Sequence, residues 1–268
     1  MELGEKNNSY FLGLEKKRQA KKSLNKLKDE NGDIICEQTK RLKEIKRYYE
    51  QLYSSKNPNK ESLENYILNT KIENKIDEND KISCDGKVTV EEWSYAIHRM
   101  KLNKSPGSDG LTVKFYRVFW NKLKYILTDV LNKRNDEQCL TYSQRTSILS
   151  LLFKKGDHLN LENHRPISLL NVDLKILSYV LAQRLKNLLP NIINEDQTGY
   201  VKNRFIGFNL RQIQDIIDYA DLYKIEGAII FIDFSTAFDS VECDFMFGTL
   251  KHFRFNESFI SWVKTLYK

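Results

Sequence analysis

The sequence has no Cys-x-x-Cys pair and no cysteine–histidine cluster at zinc-ligand spacing. Its four cysteines, Cys36, Cys84, Cys139 and Cys243, stand far apart, which argues against a zinc finger and fits reduced thiols inside a cell. No apolar run reaches the length needed to span a bilayer, and Met1 is followed by Glu2 rather than by a signal-peptide pattern. Internal repeats and low-complexity tracts are missing as well, which argues against a solenoid.

What is present is a chain of 268 residues, 41% hydrophobic, with 14 Tyr and 14 Phe. That is enough to bury one sizeable core with an appended arm. The formal net charge is +7, which suits a polyanionic partner without identifying one. Much of the imbalance sits early, where Lys16, Lys17, Arg18, Lys21, Lys22, Lys26 and Lys28 crowd one stretch. A solvated helix face accounts for such a run as well as a nucleic-acid-contacting arm or a nuclear import signal does.

Periodicity then orders the chain. Leu42, Ile45, Tyr48, Tyr49 and Leu52 recur at helical spacing, predicting a helix over 37–52. Asn57, Pro58 and Asn59 read as a linker. Thr89 with Glu92 forms a capping box that opens a helix to about Lys101. Ser105 to Gly110 is a turn-rich loop, and helix follows from Thr112 to Glu137. Ile148 to Phe153 reads as a short buried strand and Pro166 to Leu170 as its return, a hairpin with basic residues near its tip. Val172 to Leu189 is a helix with Ile176, Leu177, Val180, Leu181, Leu185, Leu188 and Leu189 on one face, ended by Pro190. A helix from 206 to 223 turns Leu210, Ile213, Ile216 and Ile217 inward. Ala228 to Ile232 reads as a strand buried on both faces, with Asp233 at its end, and two amphipathic helices fill 242–267.

A carboxylate at the end of a buried strand is costly unless paired or bound to metal. Asp233 is therefore either a ligand for a hard cation or the cap of a turn through Ser235 or Thr236, and the local pattern leaves both open. A phosphatase of the haloacid dehalogenase type also places an aspartate there, but its pattern wants an acid where Ser235 stands, and it ranks well below.

The order of segments narrows the choice. Lys104-Ser105-Pro106-Gly107-Ser108-Asp109-Gly110-Leu111 resembles the N-x-(A/S)-P-G-x-D-G loop of non-LTR retrotransposon reverse transcriptases. Leu152 to Asp157 (LFKKGD) and Asn163 to Asn171 (NHRPISLLN) are similar to their two fingers strands. Lys175-Ile176-Leu177 with Leu181-Ala182-Gln183-Arg184-Leu185 resembles the K-I-L…L-A-x-R-L helix. Asp196-Gln197-Thr198-Gly199-Tyr200 resembles D-Q-x-G-(F/Y), Phe231 to Val241 (FIDFSTAFDSV) the first palm motif, and Trp262 to Tyr267 the helix after it. Gly4 to Phe11 with Leu14, Glu15 and Lys16 is similar to the segment joining endonuclease to polymerase in long interspersed elements. The resemblance covers nearly the whole chain, with seven motifs in order.

The resemblance implies an α/β, helix-rich α+β chain: a basic helical arm (1–60), an N-terminal extension with fingers (61–225), and the start of a palm (226–268). It implies RNA-directed DNA polymerisation during retrotransposition, with RNA template, DNA primer and deoxynucleoside triphosphate as partners, no membrane, and an intracellular setting in cytoplasm or nucleus. Asp233 is implied as a ligand of catalytic Mg²⁺ or Mn²⁺, with the backbone carbonyl of Phe234 as another. Phe238 is implied to stack near the sugar and select deoxynucleotides. Arg165 is implied to reach the triphosphate, helped by Lys154 or Lys155. Gln197 and Arg204 are implied near the template or nucleotide pocket, and the basic arm near nucleic acid. Each has a plainer competitor: Arg165 could neutralise the hairpin and Phe238 could be core. His164 stands at an aromatic position and reads as a ring substitution, while Trp93, Trp120 and Trp262 read as helix packing.

The (Y/F)-x-D-D hairpin carrying the family's remaining aspartates is absent from the sequence, as is R-Q-G-x-x-L-S-P. Tyr219-Ala220-Asp221-Leu222 is a false match, with Leu222 where an acid should be. The expectation is a truncated palm that does not polymerise DNA by itself and leaves its strand an edge prone to association. The alternative is a non-catalytic nucleic-acid-binding remnant of a decayed retroelement.

Overall fold

The structure is a computed structural model describing residues 24–267. Lys16, Lys17, Arg18, Lys21, Lys22 and the segment Gly4 to Lys16 lie outside the described residues. The chain divides into two compact units: residues 24–54 with Ile148–Leu169, and residues 55–147 with 170–267. The hairpin, expected with the fingers, thus groups with the arm.

In the arm-and-hairpin unit, β1 (Leu27–Lys28) and β2 (Ile34–Ile35) pair antiparallel. Their turn is set by Asp29, whose carboxylate accepts from the backbone N–H groups of Asn31 (3.0 Å) and Asp33 (2.9 Å). Helix α1 (Gln38–Tyr53) follows one residue later than its periodicity predicts and buries Tyr49, while Leu42 of the expected stripe stays exposed. Strands β3 (Ile148–Phe153) and β4 (His164–Leu169) form a second antiparallel ribbon with Leu152 opposite Arg165 and Leu151 opposite Pro166. β4 starts two residues before its expected onset at the proline. In a two-stranded ribbon every strand is an edge, so a residue without an N–H is tolerated. β3 is not the buried strand expected: Ile148 and Leu152 are about half exposed, because each residue has one neighbouring strand and not two layers around it.

The other unit is helical. Its elements are α2 (Lys60–Asn69), α3 (Glu78–Cys84), α4 (Val90–Arg99), α5 (Val113–Asp136), the single turn α6 (Tyr142–Arg145), α7 (Val172–Ile192), α8 (Gly207–Tyr223), α9 (Cys243–His252) and α10 (Glu257–Tyr267). Side-chain caps set several starts. Asn59 accepts from Ser62 N–H, Thr112 from Phe115 N–H, and Thr89 with Glu92 makes the full reciprocal capping box. Helices α4, α5, α7 and α10 enclose the core, in which Trp93, Trp120, Ile176, Leu177, Phe259, Ile260 and Trp262 are buried. The three tryptophans pack helices, as expected.

Three expectations are corrected in this unit. Pro190 does not end α7, which runs to Ile192. A proline in the last turn removes a single intrahelical bond, so the helix absorbs it. Helix α8 buries none of its residues, and Leu210, Ile216 and Ile217 are exposed. Residues 225–234 form no strand: Ile230, Phe231 and Ile232 are each about four-fifths exposed. A strand needs a hydrogen-bonded neighbour, and among the described residues the two sheets are two-stranded pairs formed by other segments.

Candidate nucleotide and nucleic-acid site

The hairpin turn is built before its cations are placed. Gly156 takes φ +92, which an L side chain rarely adopts, and a Cβ there would meet the Asn163 amide at 2.9 Å. Asn163 Nδ2 donates to the Asp157 carbonyl (2.9 Å), and the Lys154 N–H donates to the Asn163 carbonyl (2.8 Å). Lys154, Lys155 and Arg165 are all exposed on this frame. The three cations share one short ribbon, and such a group can meet a polyphosphate. His164 is buried beside them, with its Nδ1 at 3.0 Å from the Asn160 carbonyl and its ring against Phe153 and His158. Burial holds its imidazole below its usual titration range. It packs as the aromatic ring it replaces.

In the helical unit, the loop Asp196–Tyr200 is held from several sides. Arg204 donates from Nη1 to the carbonyls of Asn194 and Gln197, and from Nη2 to those of Pro190 (3.1 Å) and Ile193 (2.8 Å). Its guanidinium therefore caps the last carbonyls of α7 and fixes the loop after it. From α8, Asn209 Nδ2 donates to the Asp196 carbonyl (2.7 Å), while Thr198 Oγ1 donates to Asn209 Oδ1 (2.5 Å). Gln197 lines a cavity of about 490 Å³ with Ile193, Phe245 and His252. Tyr200 takes φ +62 and stands exposed, with its ring edge-on to Phe238 at 6.0 Å. This contact brings the D-Q-T-G-Y loop and the first palm motif together.

Asp233, Phe234 and Phe238 lie on the exposed segment between α8 and α9. Phe238 is not core, since it is 84% exposed. Among the described residues no group of three or more His, Cys, Asp or Glu side chains is placed to hold a metal ion. One carboxylate and one carbonyl do not fix a divalent cation in reacting geometry, so the described donor set does not fit a catalytic metal centre. The false match Tyr219 to Leu222 is helical, within α8.

Four motif residues have structural work that sequence reasoning left unassigned. Arg184 is buried and uses all five donors: to both Glu92 carboxylate oxygens (2.6 and 2.8 Å) and to the carbonyls of Cys84, Gly86 and Lys87. Asn171 donates to the Ser143 carbonyl (2.9 Å) and accepts from the Asp109 N–H (3.4 Å). A Cβ on Gly107 would fall on Asn171 and within 2.6 Å of the Leu170 carbonyl carbon, so the Ser105–Gly110 loop needs a glycine there. Lys175 donates to the Ser105 carbonyl (3.0 Å) and ties the same loop to α7. The signal for these roles was motif membership alone.

Comparison with known proteins bears on the whole arrangement. The family described as reverse transcriptase (RNA-dependent DNA polymerase) matches residues 153–268. A 149 kDa protein of transposon TX1 from Xenopus laevis is 32% identical over 258 residues, 96% of this chain and 20% of that protein. The matches support a reverse-transcriptase fragment of the non-LTR retrotransposon kind. A Pol polyprotein from the type-1 retrotransposable element R1 of Bradysia coprophila is 24% identical over 155 residues, 57% of this chain and 15% of that protein. The chain thus spans about a fifth of the length of the first of these relatives, and less of the second. Reverse transcriptases act on nucleic acid and nucleoside triphosphates with a divalent metal ion. Among the described residues no helix is long and apolar enough to cross a membrane.

Proposed function

We propose that this chain supplies the nucleotide-facing fingers hairpin and the first palm motif of an enzyme that copies RNA into DNA during retrotransposition. The observation that carries the reading is the exposed group of Arg165, Lys154 and Lys155 on a ribbon whose turn is fixed by Gly156 and Asn163. Arg165 grips the triphosphate of an incoming deoxynucleotide with its planar fork, and the lysines add point charges. Phe238, held edge-on by Tyr200, is the surface against which the sugar stacks and which disfavours a 2′-hydroxyl. Asp233 and the Phe234 carbonyl are one part of a Mg²⁺ or Mn²⁺ site. Gln197 lies near the template or nucleotide, with Arg204 positioning its loop. The protein works inside the cell, in cytoplasm or nucleus, on an RNA template and a DNA primer.

Because the described residues offer one carboxylate at that site, the chain by itself does not extend a primer. Two measurements test the reading. Titration with a deoxynucleoside triphosphate should show binding that Arg165→Ala weakens about tenfold, the worth of one charge-assisted contact. Primer extension by the chain alone, in Mg²⁺ or Mn²⁺, should be absent. Equal affinity of Arg165→Ala and the parent chain removes the hairpin role, and extension abolished by Asp233→Ala removes the claim of inactivity.

A further inference from the structure

The arm preceding the fingers is expected as a linker, a solvated face or a nucleic-acid contact. Its described part does something more specific. The Lys28 ammonium lies 2.8 Å from the Asp157 carboxylate, across 129 residues of sequence. The Lys28 backbone N–H also donates to the Leu159 carbonyl at 2.9 Å. Leu27, its neighbour in β1, is fully buried although it lies outside the main helical core. The arm is therefore fastened to the hairpin turn by a main-chain bond and an ion pair, beside an anchored leucine.

Asp157 is the last residue of the LFKKGD motif, and it organises the turn. It accepts from the Leu159 N–H at 2.9 Å, its carbonyl accepts from Asn163 Nδ2, and Asn160 N–H donates to the same carbonyl at 3.2 Å. Lys154 and Lys155 precede it by three and two residues, and Arg165 lies on the return strand. We propose that Lys28, acting through Asp157, is a positioning residue for the triphosphate-contacting hairpin, so that the arm is a working part of the fingers. The proposal rests on the assigned role of Arg165, Lys154 and Lys155. Lys28 touches no nucleotide. It fixes the turn from which the cations project, and its partnership with Asp157 also neutralises the acidic side chain next to Lys154 and Lys155, which would otherwise repel phosphate. The Asp157 carboxyl is held below its usual range first by the bond from Lys28, in keeping with that pairing.

The experiment uses the full chain and two readouts. Hydrogen exchange at the amides of 154–160 reads the clamp without reference to nucleotide. Calorimetric titration with deoxythymidine triphosphate reads its consequence. Lys28→Ala should speed exchange across the turn, leave α4, α5 and α7 protected as before, and weaken triphosphate binding roughly three- to fivefold, the scale of a part-exposed pair. Lys28→Arg should restore both. Unchanged exchange in Lys28→Ala overturns the clamp. Faster exchange with unchanged triphosphate affinity overturns the positioning role. If Arg165→Ala also leaves affinity unchanged, the hairpin's own role fails with it; a loss in Arg165→Ala alone leaves that role standing and sinks only the arm's.

Discussion

Helix α7 and the run from 228 to 232 both look buried in the sequence, and only one is. Helix α7 packs against α3, α4 and α10, and its Ile176 and Leu177 are wholly buried. In the other, Ile230 is 80% exposed, and no described strand lies beside it. Hydrophobicity marks what a segment can bury, and burial itself requires a partner at hand. The same side chain can thus be compared in two settings. Ile176→Ala should cost about 2–5 kcal/mol by urea denaturation, because it opens a cavity in a filled core. Ile230→Ala should stay within about 0.5 kcal/mol. A large loss at Ile230 would break the contrast and mean that the run is covered in solution, with a second copy as the first suspect.

The two motif arginines repeat the contrast in polar form. Arg184 is buried against Glu92 and three carbonyls, whereas Arg165 stands in solvent. Arg184→Ala should destabilise the helical unit by about 3 kcal/mol, since it strands a carboxylate and several carbonyls; Glu92 keeps some solvent contact, which sets the effect at the low end of the usual range. Arg165→Ala should leave the denaturation midpoint in place. If both variants unfold alike, Arg165 is a structural charge and the hairpin loses its proposed role.

Glycines carry a third version. Gly107 sits against Asn171 and Leu170, while Gly227 has open space around it. Gly107→Ala should cost about 1–3 kcal/mol, because backbone and side chain must both give way. Gly227→Ala should be neutral to slightly stabilising through the unfolded chain. A benign Gly107→Ala would show that the Ser105–Gly110 loop can shift off α7.

How far these differences could be read beforehand depends on the range of the interactions behind them. Local signals were legible: the capping box at Thr89 and helix α5 follow from neighbours within a few residues, and the β3–β4 ribbon from two apolar runs joined by one short connection. The family was legible because motif order survives where single motifs mislead. Burial of α8 and of 228–232 was not, since periodicity says which face is apolar and is silent on what covers it. Arg184 was seen as a motif letter, but the carbonyls it binds come from residues up to 100 positions away, and Arg204, expected near the template or nucleotide pocket, binds carbonyls up to 14 positions away. The clamp from Lys28 to Asp157 spans still more, and a lysine in a basic run gives no hint of which acid it will meet. The partner of Phe238 was equally hidden, as Tyr200 reaches it only through a left-handed backbone turn.

The smallest expected effect separates His164 from the exposed cations around it. Burial opposes protonation of its imidazole most strongly; the Asn160 carbonyl pulls the other way, and His158, 5.1 Å away, adds a smaller opposition. The folded hairpin therefore binds its proton at lower pH than the unfolded chain, whose histidine titrates near 6.5. Above that value both states are neutral and His164 contributes its full packing. As pH falls below it, the unfolded state takes up the proton first, so stability is lost through the interval down to the depressed folded value. Hydrogen exchange of the β3–β4 amides should then quicken between pH 7.5 and 5.5 beyond the intrinsic change. His164→Phe, which keeps the ring and removes the titration, should flatten that excess. An excess that survives in His164→Phe returns His164 to the role of a plain aromatic.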